Sequence, residues 1–218
     1  MNGRIVRNVM VSLFLSLTIA DAVWIVNAHS VETQAATAAA VGKPAPDFKL
    51  TDSNGKPRSL SDFKGQFVVL EWINFECPFV KKHYESNNMQ GLQKEFTGKK
   101  VAWLTINSSA KGKQGNYAPA DINAKLKERK ASPTAYLIDE DGTVGRLYGA
   151  KSTPHMFVID KNGVLVYAGA IDDNNSADAA DAAKAKNYVR EALKSVMANK
   201  PVAEASTKAY GCSVKYAK

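Results

Sequence analysis

Cysteine is nearly absent from this chain: 218 residues contain two, Cys77 and Cys212, in opposite halves. That alone excludes a CxxC redox pair and a CxxCH haem-attachment site. Histidine is scarce as well. His29, His83 and His155 are far apart, so no cysteine–histidine cluster has zinc-ligand spacing, and neither a metal nor another cofactor is expected. Acidic residues are the minority, 21 against 29 lysines and arginines, for a net charge of +8. The lysines are nevertheless spread along the whole length and interleaved with acids. No basic stripe studded with aromatics is present, and nucleic acid is not an expected partner. The 45% hydrophobic and 23% charged content is sufficient for a packed core.

The start of the chain has the form of a targeting segment. Arg4 and Arg7 precede a stretch from Val9 to Ala20 interrupted only by serine and threonine. Two small-residue sites follow, Ala20-Asp-Ala22 and Val26-Asn-Ala28, and cleavage is expected at one of them. The apolar stretch is shorter than the roughly 20 residues that span a bilayer. Ala22 to Val26 partly extends it past Asp21, so a membrane is a partner only if the segment stays uncleaved. Residues 1–28 therefore read as signal peptide or anchor, 29–40 as linker, 41–199 as the domain, and 200–218 as a tail carrying Cys212. The expected location is exported, periplasmic or extracytoplasmic. Both cysteines lie in the exported part, where a pair can persist as a disulfide, and two cysteines allow one intramolecular pairing.

Within the domain, Phe48-Lys-Leu-Thr alternates as a strand, Asp52-Ser-Asn-Gly55 is a turn, and Lys56 to Leu60 returns as a hairpin partner. Ser61 to Gly65 makes a short helical turn. Phe67 to Ile73 is a near-continuous apolar run, the mark of a strand covered on both faces. Cys77 to Phe96 follows as helix, with Asn87-Asn88 and Gly91 as points where it could kink or split. Val101 to Ile106 is the next buried strand, Asn107 to Tyr117 a polar loop, Pro119 to Arg129 a helix and Thr134 to Ile138 a strand. Asp139-Glu-Asp-Gly142 and Asp160-Lys-Asn-Gly163 are turns; neither continues to the glutamate of a calcium loop. Met156 to Asp160 and Val164 to Ala168 form a hairpin, Ala177 to Met197 is the last helix, and Lys200 to Lys218 has no apolar periodicity. Strands alternating with helices, then a hairpin and a helix, predict an α/β fold with a central mixed sheet.

Cys77 stands where the apolar strand has ended and a helix begins with Pro78. Proline suits a first helical position because its missing N–H would be unpaired there anyway. A thiol at that place faces free backbone N–H groups and the positive end of the helix dipole, both of which favour the reactive thiolate. The competing reading of a small buried hydrophobe is the commoner fate of a lone cysteine.

Several segments, in order, resemble the thioredoxin-fold redoxins. They are Gly42-Lys-Pro-Ala-Pro-Asp-Phe48, Leu60-Ser-Asp-Phe-Lys-Gly65, Val68-Val-Leu-Glu-Trp72, Cys77-Pro78, Thr153-Pro154 and Phe157-Val-Ile-Asp-Lys-Asn-Gly163. That group holds the peroxiredoxins and the membrane-tethered thioredoxins of the TlpA/ResA type. Cys-Pro-Phe-Val-Lys-Lys-His-Tyr and the Gly-Cys-Ser-Val-Lys-Tyr tail are similar to exported peroxiredoxin-like proteins of the AhpC/TSA type. The resemblance implies a thioredoxin fold with an N-terminal β-hairpin extension, Cys77 as attacking thiol, and Pro154 as the cis-proline facing it. It also implies that the Thr153 backbone can pair with an extended substrate.

Two departures shape the expected chemistry. Val80 stands where thioredoxins carry their second cysteine, so a local dithiol is excluded. Asn74 stands where peroxiredoxins carry threonine, and its amide can still donate a hydrogen bond to substrate. The peroxide-binding arginine of peroxiredoxins has no counterpart in Ser-Thr-Pro-His-Met. The expected catalytic residues are thus Cys77 and Cys212, with Asn74, Thr153 and Pro154 binding substrate. The substrate is a peroxide or a protein disulfide, and an external thiol reductant reopens the product. In the alternative, the chain is a non-catalytic binding or chaperone-like module stapled by a Cys77–Cys212 bond, which would stabilise it by about 5 kcal/mol.

Overall fold

The computed structural model describes Met1 and residues 37–218. Residues 2–36, where the sequence led us to expect a targeting segment and a linker, lie outside the described residues. Among those described, no helix is long and apolar enough to cross a membrane.

Strand β3 (Val68–Trp72) is buried along its whole length because the sheet continues on both sides of it and is covered on both faces. It pairs in parallel with β4 (Ala102–Asn107), which pairs in parallel with β5 (Ala135–Ile138). On its other side it pairs antiparallel with β7 (His155–Ile159), which leads through a hairpin to β8 (Leu165–Gly169). The hairpin β1 (Lys49–Asp52) and β2 (Pro57–Ser59) closes the far side against β5, giving the order β2-β1-β5-β4-β3-β7-β8. Side chains alternate between two cores, as the two-residue period of a strand requires. Val69, Trp103, Tyr136, Val158 and Tyr167 face one way. There they meet Val80 and Tyr84 of α1 (Pro78–Glu85), Leu92 and Phe96 of α2 (Asn88–Thr97), Ile122 of α3 (Pro119–Glu128) and Leu193 of α5 (Tyr188–Met197). Leu70, Trp72, Leu104, Leu137 and Phe157 face the other way, against Phe48, Phe63, Val144 and Tyr148. This is the thioredoxin fold, with the hairpin as its N-terminal extension.

The helix read over 77–96 splits at Asn87-Asn88, one of the points where a break was expected, and two other segments differ from the sequence reading. Asn87 takes a left-handed conformation (φ 57°) that its short polar side chain tolerates, and the chain restarts at Asn88. Gly91 stays inside α2 without breaking it. The helix foreseen from Ala177 begins only at Tyr188, capped by the Asn187 side chain on the Arg190 N–H at 2.8 Å. Upstream, side chains of Asp172, Asn174, Ser176, Asp178 and Asp173 accept from nearby backbone N–H groups and compete with helix. After the Asp139–Gly142 turn, an unforeseen short helix, α4 (Thr143–Leu147), starts where Asp139 accepts from the Val144 and Gly145 N–H groups.

The tail follows the protein surface as an extended strap. The Ala168 N–H donates to the Ala205 carbonyl at 3.1 Å, and the Thr207 N–H to the Ala168 carbonyl at 3.2 Å, on the β8 edge. Further on, β9 (Cys212–Ser213) pairs antiparallel with β6 (Ser152–Thr153). The Val214 N–H donates to Lys151, the Ala110 N–H to Lys215, and the Tyr216 hydroxyl to Ala150 at 2.8 Å. A strap held by such single contacts needs no apolar period, which is why its sequence shows none.

Candidate active site

Where β3 ends, Asn74 shapes the turn into α1. Its side-chain oxygen accepts from the Glu76 N–H at 2.9 Å, its carbonyl from the Cys77 N–H at 3.0 Å, and its amide donates to Gln114 at 3.3 Å. Gly115 (φ 88°) lies so close that a Cβ there would meet the Asn74 side chain at 2.6 Å. Cys77 is the N-cap of α1 and Pro78 occupies its first turn, as the sequence leads one to expect.

The Cys77 sulfur is fully buried, with its thiol donating to the Thr153 carbonyl at 3.1 Å. The Thr153–Pro154 peptide is cis. Because Thr153 stands opposite Cys212 in the β6–β9 pair, the second cysteine arrives at the same point. Both thiols are free. Burial pushes the Cys77 thiol up, but the polar groups of Cys212, Thr153 and Val80 around it outweigh burial, so the net shift is downward. The Thr153 hydroxyl, buried and otherwise unpartnered, is a donor available to that sulfur. Cys212 is pushed up to about 11 by its own burial and by the neighbouring Cys77 thiol. The two shifts run in opposite directions, Cys77 toward greater acidity and Cys212 toward lesser. Once the Cys77 sulfur is capped, its negative charge is gone and with it one cause of the weak acidity of Cys212. The structure thus brings together Cys77, Cys212, Thr153 and Pro154, while the side chain of Asn74 is engaged within its own turn.

A second group, not foreseen, lies one turn along α1. Lys82 is wholly buried, its ammonium 2.6 Å from the Asn174 carbonyl and 3.5 Å from Asp172. His83 accepts at Nδ1 from the Asn88 amide (2.9 Å), which leaves Nε2–H to donate to the Tyr210 hydroxyl at 3.1 Å. Tyr210 in turn donates to Asp172. Asp172 is shifted upward by burial, with Tyr210 and Lys82 opposing. Glu71, in the middle of β3, is buried among donors: Trp103 at 2.7 Å, Tyr84 at 3.0 Å, Thr105 at 3.1 Å and Gln93 at 3.2 Å. Its burial outweighs them and raises its pKa. A glutamate within the Val68-Val-Leu-Glu-Trp72 run was the one sequence signal available for this group. Among the described residues, no cluster of three or more His, Cys, Asp or Glu is placed to hold a metal ion.

The histidines give a signed pH dependence. Burial, with Lys82 nearby, lowers His83 to about 3, and burial with Lys151 lowers His155 to about 4. Between pH 6.5 and those values the unfolded chain takes up protons that the folded chain refuses. Each histidine therefore removes stability as pH falls, by about 1.4 kcal/mol per pH unit in that window. Glu71, Asp139 and Asp172, shifted upward, act with the opposite sign. The difference in unfolding free energy between the natural chain and His83→Gln is expected to shrink from pH 7 to pH 4.5 in urea titrations. A pH-independent difference would contradict a neutral His83.

Comparison with known proteins bears on the same region. The model of the AhpC/TSA family matches residues 41–168. The thiol-disulfide oxidoreductase ResA of Geobacillus thermodenitrificans is 31% identical over 128 residues, 58% of this chain and 67% of ResA. Peroxiredoxin-2 of Macaca fascicularis is 30% identical over 145 residues, again 58% of this chain and 67% of the relative. The crystal structure of a conserved protein from Geobacillus kaustophilus superposes with a TM-score of 0.71 at 29% identity, covering 82% of this chain and 93% of its own. A thioredoxin fold with a cysteine at the head of α1, and a family match over more than half its length, make this chain a member of the AhpC/TSA family of redoxins.

Proposed function

We propose that this protein is an exported thiol-disulfide oxidoreductase in which Cys77 is the nucleophile and Cys212 the resolving thiol. The observation that supports this most directly is the pairing of Cys212 with Thr153, whose carbonyl accepts from the Cys77 thiol at 3.1 Å. Cys77 thiolate attacks one sulfur of a substrate disulfide, whose other sulfur leaves as thiolate. Cys212 then attacks the Cys77 side of the mixed disulfide, releasing the second substrate thiol and closing a Cys77–Cys212 bond. An external dithiol reductant restores the two free thiols. Thr153 and Pro154 line the approach, and Asn74 holds the turn that presents Cys77.

Peroxide is the second reading, favoured by the complete burial of the Cys77 sulfur beside the unpartnered Thr153 hydroxyl. There Cys77 takes one oxygen to become a sulfenic acid, with release of water, and Cys212 condenses with it, releasing a second water.

One equivalent of oxidant added to the reduced protein is expected to remove two hydrogens from its mass and to yield a single Cys77–Cys212 linked peptide on non-reducing digestion. Two free thiols under all conditions would sink the resolving role. A reduction potential below about −300 mV would instead make the bond a structural staple. Stopped-flow reaction with hydrogen peroxide, in parallel with a disulfide-bonded protein, identifies the faster substrate.

A further inference from the structure

Tyr210-Gly211-Cys212 makes three distinct contacts beside Cys77, and together they describe a ligand. Cys212 is extended and paired with Thr153, whose carbonyl accepts from the Cys77 thiol at 3.1 Å. Gly211 (φ 117°) passes so close to the β6 edge that a Cβ would lie 2.0 Å from the Thr153 carbonyl oxygen. Tyr210 seats its ring edge-on to Phe79, centroids 5.8 Å apart, and 5.5 Å from the Lys82 ammonium, with its hydroxyl between His83 and Asp172. Strand pairing supplies affinity from the backbone, and flanking pockets supply specificity. Neither depends on the segment belonging to the same chain.

We propose that the face around Cys77 is a groove for extended polypeptides with an aromatic–Gly–Cys sequence, and that the docked tail is an internal occupant which such a polypeptide displaces. The inference rests on Cys77 being the nucleophile. A segment taking the place of residues 210–213 pairs with Ser152–Thr153, seats its aromatic ring on Phe79 and Lys82, and brings its cysteine sulfur to Cys77. If that cysteine is disulfide-bonded, Cys77 thiolate bonds to its sulfur and the other sulfur departs as thiolate. The returning tail then places Cys212 on the mixed disulfide and expels the segment as a thiol. The strap remains fastened to β8 at Ala205–Thr207. The released cysteine therefore stays at high effective concentration, and an external segment wins only with matching contacts.

The test uses the full chain carrying Cys212→Ser, so that Cys77 is the one thiol, and peptides of the sequence Ala209–Lys215 whose cysteine is a mixed disulfide with nitrothiobenzoate. Exchange with Cys77 releases the coloured thiolate. Adding Tyr210→Ala, which frees the aromatic pocket, is expected to speed reaction with the parent peptide by about tenfold or more, the loss of charge-assisted hydrogen bonds that hold the strap. Val214→Pro, which deletes the N–H donated to Lys151 outside that pocket, is expected to act in the same direction; circular dichroism checks that each variant is folded. Peptides with valine for the glycine, or alanine for the tyrosine, are expected to react about tenfold more slowly than the parent in the Val214→Pro chain, where the pocket is intact. Equal rates for the three peptides there, or a parent rate unmoved in both strap variants, overturn the proposal. So does an equal acceleration of peptide and of a small aromatic disulfide, which would make the strap a cover only. If the small disulfide also leaves Cys77 unmodified in every chain, the nucleophile assignment fails as well, and that arm tells the two failures apart.

Discussion

Cys77→Ser is expected to lower thiol-disulfide exchange and peroxide consumption by at least about 10³-fold while leaving the fold in place. The effect is large because a hydroxyl has no accessible anionic form near neutral pH and does not form the covalent sulfur intermediate on which both readings depend. The fold is expected to survive because serine keeps a donor toward the Thr153 carbonyl, now 3.1 Å from the sulfur, and occupies less volume in the same buried site. Steady-state reduction of a disulfide-bonded protein, and loss of peroxide, are the two measurements. Full activity in either would remove Cys77 from the mechanism proposed for that substrate. Cys212→Ser has a different signature under the same chemistry: one equivalent of substrate reacts with Cys77, and turnover then stops without an added thiol.

Lys82→Met is expected to destabilise the protein by about 3–5 kcal/mol in urea titrations at neutral pH. The methionine fills the space of the lysine stem, so packing is largely kept. The Asp172 carboxyl, 1% exposed, loses the ammonium at 3.5 Å, and the Asn174 carbonyl loses its donor at 2.6 Å. Removing one member of a buried pair leaves an uncompensated charge, which is why the effect exceeds that of a surface ion pair. Adding Asp172→Asn should recover part of the loss, since the two substitutions act on one contact. A change below about 1 kcal/mol for Lys82→Met would show that the pair adds little. Because Asp172 also accepts from Tyr210, the same variant should loosen the strap over Cys77.

What could be read before folding was whatever announces itself locally. The run Phe67 to Ile73, the polar break and Cys77-Pro78 specify a buried strand delivering a cysteine to a helix N-terminus, all within a dozen or so residues. The hairpins follow from Asp52-Ser-Asn-Gly55 and Asp160-Lys-Asn-Gly163 in the same way. The second group was hidden because nothing local separates Lys82 from Lys81. One is wholly buried and the other exposed only because Asp172, Asn174 and Tyr210 come from other parts of the chain. The strap was hidden for a related reason. Its partners are scattered along the chain: single backbone groups on Lys151, Ala168 and Ala110, the side chains of Phe79, Lys82, His83 and Asp172 that receive Tyr210, and a space beside Gly142 and Gly145 that receives Tyr216. The long helix foreseen from Ala177 failed where alanine propensity met a succession of Asp, Asn and Ser side chains able to bond their own backbone.

The β6–β9 pair also has a bearing on how the protein is made. Every surface that receives the strap, from α1 to Asp172, lies earlier in the chain than Cys212. During synthesis at about 5–20 residues per second, Cys77 therefore exists for on the order of ten seconds before its partner has been added. For that interval its sulfur has no lid, and foreign thiols and oxidants reach it as readily as anything else in solution. The nascent chain is consequently at its most vulnerable to mispairing while it is least complete, and closure of the last strand is what ends that exposure.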